Sequence, residues 1–425
     1  MAFSFKREII GNGIGFSEII SPIFKTNSVR IQFNFPLSPE TYHDNSVAGS
    51  ILGCCNSKYP TIAEFSKKLN TLYGAGIYSE SGRNVDTQYI CTYMNTIDDK
   101  FALEGEKLFD DTLDVNFDCI FSPETENGEF ENSIFSFKKK DAIDSLEAEI
   151  NDKRNYALIK ASEIAYKGEI SHLKEYSEKE CMEKVTSKSA YEKYQDVLKN
   201  SQIEVLYVGA EPKPELKDKI KSVFSYERNV PVCNYRSFSP LKSEPEYVTE
   251  RMKNVLQSKM VMAFKSQNTD FFAMYVLNAI FGGSTTSKLF SNVREKMSLC
   301  YYCASRYNQG KGSLIVDSGI EEQNIEKAET EILRQFENIK NGDFTDEEID
   351  NAVLFLVNAY NSITDSAGSL IAWYLKQITD GGEILSPAET AERIKAVTRE
   401  RIIEAAKSFT LDTVYVLTAE KEEEE

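Results

Sequence analysis

Hydrophobic and polar positions along this chain repeat one pattern twice. The stretches "LYGAGIYSESGRNVDTQYICTYMNTIDDKFALEGEKLFDDTL", from Leu72, and "LCYYCASRYNQGKGSLIVDSGIEEQNIEKAETEILRQFENI", from Leu299, share it. Each reads as a strand, a polar turn, a second strand of alternating pattern, an acidic helix start and an amphipathic helix. Each half then runs through further helices to a short closing strand, "SQIEVLYVGAEP" around Tyr207 and "LDTVYVLTAE" around Tyr415. The pattern predicts an internal duplication of a unit of roughly 200 residues, the size of a domain.

Between the repeats, "PVCNYRSFSPLKSEPEYV" is rich in Pro and Ser and poor in periodic apolar positions, which marks a linker. The expected domains are 1–230 and 248–419, with a linker at 231–247 and an acidic tail at 420–425. Strands and helices are intermixed without strict β-α-β alternation, so the expected class is α+β, two duplicated sandwich units, rather than a doubly wound sheet. Two helix starts are explicit. Thr345 and Glu348 make a capping box with Phe344 and Ile349 placed for a hydrophobic staple, and Ser386 is followed by Pro387 and Glu389.

Composition narrows the field. With 425 residues, 41% of them hydrophobic, the chain can bury more than one core. Its formal net charge of -18 repels phosphate backbones and anionic lipid, so neither nucleic acid nor a membrane is an expected partner. No apolar run reaches signal-peptide or membrane-span length, and a cytoplasmic location is the default expectation. The eight cysteines lack framework spacing and read as free thiols. Cys300 and Cys303 form a C-x-x-C, but in a regular strand residues three apart point to opposite faces, which favours a packing role.

Catalytic parts are sparse. Only two histidines exist, His43 in a turn-like segment and His172 at a loop or helix start, each expected to be a surface or capping residue. No G-x-S-x-G occurs, and "GNGIGFSEI" near Gly11 matches a phosphate loop only loosely. Gly282 and Gly283, in "FGGSTTSKLF", read as a helix-ending turn that lets two segments approach closely.

The blocks "FGGSTTSKLFSNVREKMSLCYY", "GSLIVDSGIE", "GDFTDEEIDNA" and "VTRERIIEAAKSFTLDTVYVL" resemble the C-terminal domain of the pitrilysin/insulinase metallopeptidases, relatives of mitochondrial processing peptidase. The first half resembles their N-terminal domain through "YPTIAEFSKKLNTLYGAGIY". The resemblance covers nearly the whole chain and implies a clamshell of two related domains. Active members carry H-x-x-E-H, two histidines holding zinc and a glutamate activating water. Here the matching positions are Ser46, Gly49 and Ser50, none of which can do either task. The third, carboxylate ligand would correspond to Glu147 or Glu149. Substrate contacts carried over from the family fall on Arg294 and Tyr301, with Gly282 and Gly283 beside them.

The resemblance therefore implies a non-catalytic homologue without a cofactor of its own, zinc being expected only in an active partner. Such a chain would bind peptide and pair with an active paralogue as a heterodimer, or form a homodimer. Two other readings stay open: a metallopeptidase with a non-standard metal site that includes His43, and a freestanding peptide-binding clamshell.

Overall fold

The computed structural model describes residues 3–420, which divide into two compact units. The first holds residues 3–147, 174–235 and 365–382, and the second holds 148–173, 236–364 and 383–420. Of the expected acidic tail, residues 421–425 lie outside the described residues.

In the first unit, β1 (Ser4–Gly11), β2 (Ile14–Ile20), β3 (Thr26–Pro36), β4 (Gly76–Asn84), β5 (Thr87–Ile97) and β8 (Gln202–Gly209) build one sheet in the order β1-β2-β8-β3-β5-β4. The two-residue strands β6 (Thr125–Glu126) and β7 (Glu129–Phe130) pair separately. All neighbours in the large sheet are antiparallel except β2 and β8. The glycine-rich "GNGIG" is the turn of the β1–β2 hairpin, with Gly13 at φ 62°. The central strand β3 alternates Val29, Ile31, Phe33 and Phe35 into the core, where they join Leu108, Leu113 and Ile120 of the helix Leu108–Phe121. Each such burial contributes about 1.5–3 kcal/mol relative to exposure.

The second unit repeats the plan with β9 (Glu246–Met252), β10 (Ser258–Lys265), β11 (Cys300–Asn308), β12 (Ser313–Ile320) and β13 (Thr410–Ala419), ordered β11-β12-β10-β13-β9. Its one parallel pair is β13 with β9, the counterpart of β8 with β2. Tyr207 faces Val29 in the first sheet, and Tyr415 faces Val261 in the second. The two closing strands thus occupy equivalent places, and the fold is α+β with two duplicated sheet-and-helix units.

Relative to the contiguous spans 1–230 and 248–419, each unit contains one helix from the other half of the chain. The helix Lys153–Ala165 belongs to the second unit and packs on β10 and β13. Its inward stripe is Ala157, Ala161 and Ala165, small residues four apart that let helix and sheet approach closely. Polar bonds pin both ends. Arg154 pairs with the buried Asp317 at 2.5 Å, Glu250 accepts from Tyr156 and Tyr415 hydroxyls, and Tyr166 donates to Ser313 at 2.5 Å. Reciprocally, the helix Ala367–Asp380 belongs to the first unit and packs on β8 and β3, with Tyr374 stacked on Phe5 at 3.8 Å. The chain passes from the first unit to the second at Tyr235/Arg236, in a segment between Val223 and Glu246 that is neither helix nor strand.

Candidate functional site

The positions that match the zinc motif lie on the helix Tyr42–Ile51 of the first unit. Ser46 donates its hydroxyl back to the carbonyl of Tyr42 at 2.7 Å, and Ser50 does the same to Val47 at 2.7 Å. Gly49 sits against β4: a Cβ there would lie 2.8 Å from Ser81 Cβ and 3.2 Å from the Ser81 amide nitrogen. One turn on, a Cβ at Gly53 would lie 2.5 Å from the amide nitrogen of Ser79, so two glycines bring this helix onto the strand backbone. The remaining polar contacts are neutral. Gln88 donates to the Tyr42 carbonyl at 3.0 Å and to Ser81 at 3.3 Å, and accepts from Asn45 at 3.3 Å. Serine, glutamine and asparagine side chains are poor ligands for a catalytic divalent metal.

His43 is not the turn or surface residue its sequence context suggests. It lies in the first turn of this helix, is 4% exposed, and shares a hydrogen bond with the Glu175 carbonyl through Nε2 at 2.8 Å. Burial holds its pKa below the ordinary value, an effect the Glu175 bond and Asp44 oppose. Its ring borders Tyr42, which packs on Tyr176, and the Arg83 guanidinium lies 4.8 Å from the Tyr176 ring centre. His172 belongs to the second unit, its ring tilted against Tyr166 with centres 4.2 Å apart. The two carboxylates considered as a third ligand also part company. Glu147 pairs with Lys179 at 2.5 Å in the first unit, and Glu149 falls in the second unit, accepting from Asn155 at 3.4 Å. Among the described residues, no group of three or more His, Cys, Asp or Glu side chains could hold a metal ion.

In the second unit Arg294 and Tyr301 are brought together. Arg294 lies on a π-helical segment, Leu289–Lys296, with its guanidinium 4.7 Å from the Phe290 ring centre and 3.6 Å from Glu295. Tyr301 is 63% exposed and donates to Glu321 at 3.3 Å. Both line a cavity of about 430 Å³ with Glu295, Ser298, Cys300 and Glu321. Arg294 also lines a second cavity of about 270 Å³, together with Gly282, Gly283, Phe290, Tyr302 and Cys303. The tyrosine that packs inward is Tyr302, with Arg154 over its ring at 4.3 Å. Gly282 serves close approach: a Cβ would lie 2.8 Å from the Ser305 nitrogen of β11. The helical segment Ala279–Gly283 ends at this pair, as expected, and does so without a positive φ at either glycine.

The C-x-x-C expectation also changes. The β11–β12 register shifts between Cys300, opposite Ile320, and Tyr302, opposite Gly319, so Tyr301 is the extra residue of a β-bulge. The bulge resets the alternation, and Cys300 and Cys303, opposite Ile320 and Ser318, face the same side. The neighbouring Cys303 thiol holds Cys300 below its ordinary pKa; burial opposes this, and the Arg294 charge assists it. The Cys300 neighbour and burial push the Cys303 thiol well up. A bulge of this kind leaves no local signal in the sequence, because the register is set by β12.

Two sheets of matching strand order, one carrying an Arg/Tyr block and the other a glycine-closed motif position, define a duplicated α+β protein. The comparisons agree. The family model described as Peptidase M16 inactive domain matches residues 184–356. The Bacillus subtilis protein described as probable inactive metalloprotease YmfF is 28% identical over 93% of each chain. A second Bacillus subtilis relative, described as uncharacterized zinc protease YmxG, is 25% identical over 41% of this chain and 45% of its own. The crystal structure of a conserved protein from Enterococcus faecalis V583 superposes with a TM-score of 0.91 at 27% identity, covering 99% of this chain and all of the other. The chain is a homologue of the pitrilysin/insulinase, or M16, metallopeptidases that lacks their H-x-x-E-H motif. No helix among the described residues is long and apolar enough to cross a membrane.

Proposed function

We propose that this chain is a non-catalytic, peptide-binding subunit that works beside an active, H-x-x-E-H-bearing paralogue. The observation that carries the reading is the asymmetry between its two sites. The helix that would hold zinc is sealed onto β4 through Gly49 and Gly53, whereas Arg294 and Tyr301 stay partly exposed around a cavity of about 430 Å³. A guanidinium fork and a phenolic hydroxyl suit peptide carbonyls and carboxylates. The free edge of β4 offers main-chain groups for strand addition, and the acidic surface favours basic peptides. A relative described as a probable inactive metalloprotease fits the non-catalytic part of this reading.

The test is co-purification with a zinc-bearing paralogue, followed by anisotropy titration of an extended basic peptide and an acidic one of equal length. The expected outcome is a stable complex more active than the paralogue alone. Affinity for the basic peptide should drop about tenfold in Arg294→Ala, equivalent to about 1.4 kcal/mol. Failure of complex formation together with equal, weak affinity for both peptides would remove the proposal.

A further inference from the structure

The pair of thiols at the β11 bulge has no part in the peptide-binding reading, and its geometry supports a chemistry of its own. Three observations converge. The bulge at Tyr301 turns Cys300 and Cys303 to one side of the strand. Both side chains belong to the same buried cluster of the second unit. Each also lines an open cavity, Cys300 the one of about 430 Å³ and Cys303 the one of about 270 Å³. A small solute therefore has a path to both, although each residue is under a tenth exposed. The other six cysteines show no such arrangement. Cys55, Cys91 and Cys119 are buried, with thiols pushed up to about 12 by desolvation, which keeps them protonated and inert.

We propose that Cys300 and Cys303 form a peroxide-reactive dithiol that closes reversibly to a disulfide beneath the Arg294–Tyr301 block. The oxidant is hydrogen peroxide, small enough for either cavity and neutral, so the Glu295 and Glu321 carboxylates at the rim do not repel it. Cys300, favoured as the thiolate by the neighbouring Cys303 thiol and by Arg294, attacks one peroxide oxygen. The S–O bond forms as the O–O bond breaks, and the departing hydroxide takes up a proton to become water. The sulfenic acid on Cys300 is then attacked by the Cys303 sulfur. The S–S bond forms, the S–O bond breaks, and the hydroxyl leaves with the Cys303 proton as a second water. Two thiols lose two electrons, and one peroxide becomes two waters. Closing a bond of about 2.05 Å between the sulfurs draws in the ends of the bulge, so the movement falls on Tyr301.

Trypsin releases both cysteines in one peptide, Met297–Arg306, which contains no other cysteine. The full-length protein is treated with peroxide, its remaining thiols are blocked, and this peptide is weighed. The expected result is a peptide lighter by two hydrogens, with the reduced mass regained after dithiothreitol. Cys303→Ser, which keeps a small side chain at the bulge, should instead stop at a sulfenic acid on Cys300 that dimedone traps. The proposal is overturned if the peptide keeps both thiols at a peroxide dose that oxidises the half-buried Cys54, Cys181 and Cys233. It is equally overturned if Cys300 proceeds to sulfinic acid with Cys303 still reduced. Neither outcome depends on whether peptide binds, so this test and the peptide titration can fail separately.

Discussion

A glutamate restored at position 49 would need room that Ser81 already fills, since even a Cβ would meet the Ser81 Cβ at 2.8 Å. The substitution of the motif is therefore steric as well as chemical. Gly49→Glu should destabilise the chain by about 1–3 kcal/mol, the usual range for overpacking, read as a lower urea midpoint. His43 gives a second prediction at this scale. Burial keeps its folded pKa below the ordinary 6.5, so above that pH both folded and unfolded chains hold it neutral. As pH falls below about 6.5, the unfolded chain takes up a proton that the folded chain refuses, and stability declines until the lower folded value is passed. His43→Asn should flatten the fall in Tm between about pH 7 and 5 relative to wild type. The loss of the motif was readable from sequence, because histidine is so scarce. The burial of His43 was not, because its cover comes from Tyr176 and the Glu175 carbonyl, more than a hundred positions away.

Elements whose cause is local were legible, and those whose cause is a distant partner were not. Thr345 accepts from the Glu348 amide at 3.1 Å while Glu348 accepts from the Thr345 amide at 2.8 Å, the box expected from the spacing alone. Thr345→Ala should cost about 1 kcal/mol in a denaturant titration. The β11 bulge had no such signature, and the opposite-face reading of Cys300 and Cys303 failed with it. The alanine stripe of the helix Lys153–Ala165 offers the sharpest element-level test. Ala161 is 2% exposed and lies against the second sheet, where Val261 and Tyr415 belong to the same cluster. Ala161→Leu should destabilise by about 1–3 kcal/mol by forcing the helix off the sheet, whereas the same change at the exposed Asn155 of that helix should move Tm little.

At the scale of the whole molecule, duplication was visible because each repeat carries its own period-2 and period-3.6 signals. The observed strand orders mirror one another down to the single parallel pair. The exchange of helices was invisible, because nothing in an amphipathic pattern names the sheet it will cover. It predicts that residues 1–235 and 236–425, expressed separately, each leave part of a sheet uncovered. Produced together, the fragments should recover soluble, cooperatively unfolding protein, and either fragment alone should give a broad, non-cooperative melt. Exchange also orders events during synthesis. The first unit needs the helix Ala367–Asp380, so a ribosome must reach residue 380 before the earlier-made sheet can receive its last helix. Until then β3 and β8 lack part of their cover, and that uncovered apolar face is a place where a nascent chain is open to aggregation.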